Sequence, residues 1–205
     1  MQADVYRVLR RPARAEIKVK GSRFIAEAFP VETEAEATEA LASVRRREHA
    51  ATHHCSAYRV GRDGALFRFD DDGEPSGTAG QPILRQIDAR GLTNTLVVVT
   101  RYFGGTKLGT GGLIRAYGDA ASEVLDAAGV EERVRRSTVY LRFAYPDTSP
   151  AMHVIGRYDA QVVRHHYGEA TELWVAVRCS EVEAFRAAFV EALAGRGEVR
   201  PAAEG

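Results

Sequence analysis

The first half of the chain alternates between strand-like and helix-like spacing of its apolar residues. Alternation over residues 16–31, interrupted at Gly21, predicts a strand or hairpin. Thr33 and Glu36 form a capping box ahead of apolar residues spaced three and four apart. This predicts a helix that ends near the basic run at residues 45–47, where cations favour the negative end of the helix dipole.

The middle of the chain continues this mixture up to Gly129. The pattern predicts two strands joined by a turn at 61–64, a short helix, a strand that is apolar on both faces, and an alanine-rich helix. The strands are predicted at 55–60, 65–69 and 96–100. The short helix is predicted at 83–89, and the alanine-rich helix is predicted to end at 128. The strand at 96–100 is expected to be central, because only a strand covered on both faces is apolar on both.

After Gly129 the pattern starts again. The charge-rich residues 130–136 indicate a surface connection between two compact units. Strands are predicted at 138–144, 160–167, 172–178 and 198–200. Helices are predicted from Ser149 as N-cap to about 158 and from a second capping box at Ser180 and Glu183 onward. Their β-α-β-β-α-β order is the split arrangement of ferredoxin-like domains. We therefore predict an α+β protein with two domains, 1–130 and 137–205.

Composition and charge narrow the function classes. The 205 residues are 45% hydrophobic, and 28 Lys plus Arg balance 28 Asp plus Glu, so any site for a polyanion must be local. The longest apolar run is too short for a membrane span, and the N-terminus lacks a signal-peptide core. We expect a cytoplasmic protein without membrane contact. Cys55 and Cys179 are expected to be reduced core thiols.

The most informative stretch follows the predicted central strand and is rich in glycine. Gly104, Gly105, Gly109, Gly111 and Gly112 lie between that strand and the next helix. Free backbone N–H groups at the start of the helix favour an anion, and the neighbouring cations strengthen this preference. We predict an anion- or RNA-binding site at these glycines with Arg101, Lys107 and Arg115. The alternative is a tight structural turn that lets the helix pack closely on the sheet.

An acidic loop offers a second candidate site. Asp70, Asp71, Asp72 and Glu74 are able to hold Mg²⁺ or to act as acid and base, although a turn whose carboxylates cap backbone amides is favoured. A metal role for the histidines around His53 is disfavoured, because no second ligand cluster has zinc-finger spacing. We predict no metal site, no cofactor and no catalytic residue.

Three segments together resemble the signature segments of the IMPACT family, in its YigZ-like bacterial branch. They are HAATHHCSAYRV at 49–60, DDGEPSGTAGQPIL at 71–84 and VVVTRYFGGTKLGTGGLIRAY at 97–117. By this resemblance the family's signature positions fall on His53, Asp71, Asp72, Gly73, Glu74, Pro75, Gly77, Thr78, Gly80, Arg101, Tyr102, Phe103, Gly104, Gly105, Leu108, Gly109, Gly111, Gly112, Arg115 and Tyr117. No catalytic assignment comes with them.

The resemblance implies a fold and a setting for function. It implies a first domain like the second domain of a small-subunit ribosomal protein, and a second domain like domain V of elongation factor G. It also implies an association with translation. Eukaryotic members carry an additional N-terminal partner-binding domain, whereas the first strand predicted here begins at Glu16, so regulation through that partner is not implied.

Two functional hypotheses follow from these observations. The first is a non-enzymatic regulator in translation that binds RNA, the ribosome or a protein partner through the glycine-rich loop. The alternative is an enzyme that handles a small phosphorylated or acidic ligand with Mg²⁺ between the acidic loop and the glycine-rich loop. The sequence does not determine the oligomeric state.

Overall fold

The structure, a computed structural model, describes residues 4–61 and 63–202. The outermost ends of both predicted domains, 1–3 and 203–205, and residue 62 of the predicted turn lie outside the described residues. The described chain forms two compact units, one of residues 6–133 and the other of residues 4, 5 and 134–202. The predicted domain limits, 1–130 and 137–205, stay a prediction.

The first part of the chain contributes three helices and seven strands to the described structure. In chain order they are β1 Val5–Leu9, β2 Ala13–Val19, β3 Ser22–Pro30, α1 Glu34–Arg47, β4 His53–Val60, β5 Leu66–Asp70, α2 Gly80–Ala89, β6 Thr95–Tyr102, α3 Gly109–Ala128 and β7 Val130–Val134. The predicted N-cap is confirmed, because Thr33 Oγ1 accepts from the N–H of Glu36 at 3.2 Å. The reciprocal bond of the predicted capping box is shifted by one residue, because the Glu36 carboxylate accepts from the N–H of Glu32 at 2.7 Å.

A five-stranded antiparallel sheet in the order β2-β3-β6-β4-β5 carries this unit. The prediction of a central strand is confirmed for β6. Its residues Val97 and Val99 pack in one core with α2 and α3, and Leu96 and Val98 pack in a second core with α1. Burial on both faces explains why this strand reads as an unbroken apolar run.

The charge-rich segment after Gly129 contains the division between the two units, at residues 133 and 134, and it also forms a strand that the pattern did not predict. Its residues Val130–Val134 are β7, which pairs with β1 in a two-stranded sheet. Neither strand has a strong apolar alternation, and their pairing joins residues more than a hundred positions apart. A pattern confined to one segment does not register such a long-range pairing.

The other unit has the predicted β-α-β-β-α-β order. Its elements are β8 Arg136–Phe143, α4 Thr148–Arg157, β9 Gln161–Tyr167, β10 Thr171–Arg178, α5 Val182–Ala192 and β11 Glu198–Pro201. The strands form an antiparallel sheet in the order β11-β8-β10-β9. The apolar stripe of α5 and of the residue that follows it consists of Phe185, Phe189 and Leu193, which are fully buried against one face of this sheet.

Both helix starts predicted in this unit are wrong in detail. A 3₁₀ turn at Tyr145–Asp147 leads directly into α4, so Ser149 lies within the first helical turn and caps nothing. A second 3₁₀ turn precedes α5, and the hydroxyl of Ser180 donates to Asp4 instead of capping the helix. In each case the 3₁₀ turn shifts the helix start relative to the hydroxyl residue.

The two cysteines differ in environment. Cys55 is a buried thiol, as predicted, but Cys179 is exposed because it begins the 3₁₀ turn after β10 rather than continuing the strand. Among the described residues, no helix has the length and apolar character needed to cross a bilayer.

Candidate functional site

The acidic loop between β5 and α2 is organised by Asp71. Its Oδ1 accepts from the N–H groups of Ala79 and Gly80 at 3.0 and 2.8 Å, and its Oδ2 accepts from Gly77 at 2.8 Å. This carboxylate therefore satisfies the amides at the start of α2, which is the capping role that the sequence favoured. Asp71 positions the loop and is not left free for a cation.

Asp72 connects the same loop to β4 and α1. Its Oδ2 accepts from the N–H of His54 at 2.7 Å, and its Oδ1 accepts from Arg45 at 2.9 Å. Asp70 in turn accepts from the N–H of Asp72 at 2.9 Å. Within residues 4–61 and 63–202 no three His, Cys, Asp or Glu side chains are grouped as metal ligands. The carboxylates of this loop are used by the protein itself.

Glu74, at the end of the acidic segment, forms a buried ion pair with Arg101. Glu74 Oε1 lies 2.6 Å from Arg101 Nη1 and also accepts from the Tyr117 hydroxyl at 2.7 Å. The side chains of Glu74 and Arg101 are only 4% and 6% exposed. The prediction of Arg101 as a free cation for an anion is therefore wrong, because a buried charge requires a compensating partner and Glu74 supplies it.

The Arg101 guanidinium is held in place by more than its ion pair. It lies 5.5 Å from the ring centres of both Phe24 and Phe103, and its Nη2 makes a long 3.4 Å contact with Ser22 Oγ. Its Nε is buried and has no hydrogen-bond partner among the described residues. One N–H of the guanidinium is thus buried without a hydrogen-bond partner.

His53 lies next to this ion pair. Its Nδ1 is 2.7 Å from the carbonyl oxygen of Asp72, and its Nε2 is 3.9 Å from Glu74 Oε1. Because a carbonyl only accepts, Nδ1 carries a hydrogen, and the Nε2 side of the ring faces Glu74. His53 is adjacent to Arg101 across the β4–β6 pairing, so the sheet register brings these two residues together.

Burial raises the pKa of two groups beneath the ion pair. The Cys55 thiol donates to the carbonyl of Asp71 at 3.0 Å, and its burial raises its pKa above the usual range. Burial, with the neighbouring Cys55 and Glu74, raises the pKa of Tyr117 as well. Both groups are neutral at ordinary pH, so Tyr117 acts as a hydrogen-bond donor to Glu74 and Cys55 is not a nucleophile.

A cavity of about 440 Å³ opens beside these residues. Its walls include His53, Glu74, Arg101, Phe103, Lys107 and Gly109. Leu108, Leu113 and Pro75 add apolar surface. The cavity therefore combines an exposed aromatic ring, a lysine and the beginning of α3, which is a lining suited to a ligand with an anionic group and an apolar part.

The glycines predicted to contact an anion divide into two groups. Gly104 has a structural role, because a Cβ placed there would lie 2.0 Å from the backbone of Gly21. Its N–H donates to Ser22 Oγ at 3.2 Å. The prediction of Gly104 as an anion contact is therefore wrong, and the alternative of a tight turn applies at this residue.

The remaining glycines lie in open surroundings. A Cβ added to Gly105, Gly109 or Gly111 would have no neighbouring atom within 4 Å, and one added to Gly112 would touch only Leu108. No backbone N–H of residues 105–108 donates to any acceptor in the described part of the chain. The helix α3 begins at Gly109 without a side-chain cap. Free amides are therefore present where the sequence predicted them.

The two remaining cations occupy different places. Lys107 is exposed and lines the cavity. Arg115 is exposed on α3, nearly two turns beyond the start of the helix at Gly109, and is not part of the cavity wall. Neither forms an ion pair with a described carboxylate. The structure thus keeps Lys107 at the predicted site and places Arg115 near its margin.

Two participants in this site carried no assigned role in the sequence. Ser22 reaches both Arg101 and Gly104 from β3, and nothing in its local sequence indicates this contact. Phe103 belongs to the signature segment, but only the structure shows that its ring is 48% exposed beside Arg101. An aromatic residue within a glycine-rich, basic segment was the available signal.

Comparison with known proteins gives matches over most of the chain. A family model described as the Impact N-terminal domain matches residues 20–125. A second model, described as a domain of unknown function (DUF1949), matches residues 141–196.

Two individual relatives also match over most of the chain. IMPACT family member YvyE of Bacillus subtilis (strain 168) is 37% identical over 195 residues, covering 95% of this chain and 90% of the relative. IMPACT family member YigZ of Escherichia coli (strain K12) is 32% identical over 176 residues, covering 85% and 86%. Neither name states a substrate or a reaction.

One solved structure aligns over the whole of both chains. It is described as the crystal structure of an hypothetical protein, with a TM-score of 0.69 and 29% sequence identity. The likeness in fold therefore extends across both units and is not confined to the region of the signature segments.

Proposed function

Because the chain belongs to the IMPACT family, we propose that it is a non-enzymatic regulator associated with translation. It binds RNA, the ribosome or a translation factor, and the first contact is a phosphate or carboxylate at the cavity beside α3. The link to translation rests on analogy with the family and not on the chemistry of the cavity.

The observation that carries this proposal is the set of unpaired backbone amides at residues 105–108, next to the uncapped start of α3 and to Lys107. Amides at a helix start and a nearby lysine attract oxyanions, because both present positive charge and hydrogen-bond donors. Each of these groups lacks the acceptor that a phosphate would supply.

Arg101 has a different role in this proposal from the one its charge first suggested. Its charge is compensated by Glu74, so it does not attract an anion from a distance. It instead holds Phe103 beside the cavity through the contact of its guanidinium with the ring. The attracting charges are Lys107 and, at the margin, Arg115.

The fold of the second unit supports a place in translation by analogy. We propose that it is a ferredoxin-like domain similar to domain V of elongation factor G, and that the first unit is similar to the second domain of a small-subunit ribosomal protein. The β-α-β-β-α-β order and the strand order β11-β8-β10-β9 support the first of these similarities.

Binding to ribosomes at low salt tests the proposal. We expect Lys107→Ala and Arg115→Ala each to weaken co-sedimentation with ribosomes and to reduce its salt dependence by about one unit of slope, because each removes one phosphate contact. Lys18→Ala and Arg85→Ala, which remove exposed cations of β2 and α2, serve as matched controls. Equal binding by the wild type and by both site variants would rule out the cavity as the site.

A further inference from the structure

The sheet of the second unit has one face that its own helices do not cover. Val139, Leu141 and Val175 point to the core with α4 and α5. Side chains alternate across a sheet, so Tyr140 and Trp174 lie on the opposite face. This face takes no part in the cavity of the first unit.

A single row of side chains crosses this face, with one residue from each of the four strands. Arg200 on β11 is opposite Tyr140 on β8, Tyr140 is opposite Trp174 on β10, and Trp174 is opposite Arg164 on β9. We define these four residues as the aromatic row. The strand order places both aromatic residues on the two central strands and both arginines on the edge strands.

The members of the aromatic row contact one another through their planar groups. The ring centres of Tyr140 and Trp174 are 5.1 Å apart. The guanidinium of Arg164 lies 4.4 Å from the centre of the Trp174 ring, and that of Arg200 lies 4.2 Å from the centre of the Tyr140 ring. The two rings meet edge to face, and each lies under a guanidinium group. Tyr140 is only 6% exposed and Trp174 is half-buried, so the exposed ends of the row are its two arginines.

The next row on the same face holds one arginine and two glutamates, so it adds no net positive charge. It contains Arg142 and His166, with Glu172 between them and Glu198 beside Arg142. Arg142 is 3.8 Å from Glu172, and Arg200 donates to Glu198 at 2.9 Å. Arg164 forms no ion pair with a described carboxylate, so its interaction with Trp174 leaves its charge uncompensated.

From this arrangement we infer that the aromatic row binds single-stranded RNA, with unpaired bases stacked on the exposed guanidinium groups of Arg164 and Arg200 and on the exposed part of the Trp174 ring, and with a phosphate contacted by Arg164. Bases stack both on aromatic rings and on arginine guanidinium planes. Tyr140, which is only 6% exposed, supports the row from beneath Arg200 and is not itself a stacking surface.

The unpaired charge of Arg164 favours RNA over an apolar protein surface. Such a surface would leave the guanidinium of Arg164 without a counter-charge, whereas the phosphates of an RNA strand supply one next to each base. Duplex RNA keeps its bases stacked on each other, so only unpaired bases reach the row. The choice of RNA over DNA rests on the proposed role in translation, whereas the stacking argument is independent of that role.

The chain contains one tryptophan, so Trp174 reports on the row directly. We expect titration of the full-length chain with a twelve-nucleotide oligouridylate at low salt to quench Trp174 fluorescence saturably, because a stacked base quenches the indole. A duplex RNA of the same length should leave the fluorescence unchanged. Absence of quenching by oligouridylate would overturn the inference.

Variants separate stacking from the integrity of the fold. We expect Arg164→Ala and Trp174→Ala to weaken binding of fluorescein-labelled oligouridylate by about tenfold or more, measured by anisotropy, and Trp174→Phe to restore most of it. Arg157→Ala is the matched control, because Arg157 contacts the Tyr158 ring at the end of α4, outside the sheet. Wild-type affinity in Arg164→Ala would contradict the inference, even where Trp174→Ala fails to fold.

The same measurements distinguish this inference from the proposed function. Quenching in both the wild type and Lys107→Ala supports the aromatic row whatever the cavity binds. Oligouridylate binding that is lost in Lys107→Ala, without any change in Trp174 fluorescence, supports the cavity and overturns the row. Equal quenching by oligodeoxythymidylate would overturn the assignment to RNA.

Discussion

At the residue scale, the charge of a side chain and its availability are separate properties. Arg101 and Lys107 lie six positions apart in the glycine-rich segment, and the sequence assigned both to one anion site. The structure buries Arg101 against Glu74 and leaves Lys107 exposed at the cavity. Glu74 is 27 positions away from Arg101 along the chain, so their pairing depends on the sheet and not on the local sequence.

The ion pair between Glu74 and Arg101 is expected to be strongly coupled to stability. We expect Glu74→Gln to lower the free energy of unfolding by about 3 kcal/mol, because it leaves a buried guanidinium without its counter-charge. The measurement is urea denaturation followed by circular dichroism. A change below about 1 kcal/mol would contradict the pairing described here.

A matched control and a second variant make this test specific. Glu39→Gln removes the exposed partner of Arg46 and should change stability by less than about 1 kcal/mol. The double variant Glu74→Gln/Arg101→Met should be more stable than Glu74→Gln alone, because it removes the unpaired charge.

At the element scale, spacing along the chain predicts the element types well and their ends less well. The apolar run of β6 identifies a central strand, and the capping box at Thr33 identifies the start of α1. The starts of α4 and α5 were misplaced, because 3₁₀ turns precede them. The pairing of β1 with β7 was missed, because a polar edge strand has little periodicity of its own.

The glycine-rich segment between β6 and α3 combines two functions that the sequence does not separate. We expect Gly104→Ala to destabilise the protein by about 1–3 kcal/mol or more, because its Cβ would overlap the backbone of Gly21. Gly111→Ala, which enters open space within α3, should instead raise stability by about 0.5–1 kcal/mol. Thermal unfolding of both variants checks this, and similar effects of the two would refute the division of the segment.

At the scale of the whole molecule, the two units present two different kinds of candidate surface. The first unit offers a cavity with unpaired amides and a lysine. The second offers an open sheet face with the aromatic row. The balanced total charge of the chain indicates neither surface, because each surface depends on which individual charges are paired and which are free.

The stability of the protein at alkaline pH depends on two buried groups under the cavity, the Cys55 thiol and the Tyr117 hydroxyl. Burial raises the pKa of both Cys55 and Tyr117, whose ordinary values are 9.0 and 10.0, so the unfolded chain loses these protons before the folded chain does. The contribution of Cys55 is present below about pH 9 and that of Tyr117 below about pH 10, and each declines above that pH by about 1.4 kcal/mol per pH unit. Urea denaturation between about pH 8 and 10.5 measures this decline.

The variant Cys55→Ala isolates one of the two groups. Its free energy of unfolding should fall less steeply above about pH 9 than that of the wild type, because the thiol of Cys55 no longer contributes to the pH dependence. Cys179→Ala, which removes the exposed thiol, is the control and should follow the wild type. Parallel pH profiles for Cys55→Ala and the wild type would contradict the assigned burial.

The amino-acid sequence by itself determined the mixture of elements, the central strand, the β-α-β-β-α-β order of the second unit and the region of the free amides. Each of these depends on the spacing of residues that are neighbours along the chain, and local sterics and periodicity act at that range. Only the tertiary structure decided that Arg101 is compensated by Glu74, that Gly104 packs on Gly21, and that Tyr140 and Trp174 share one row with two arginines. These contacts join distant segments, and strand register, burial and charge pairing exist only after the sheets have formed.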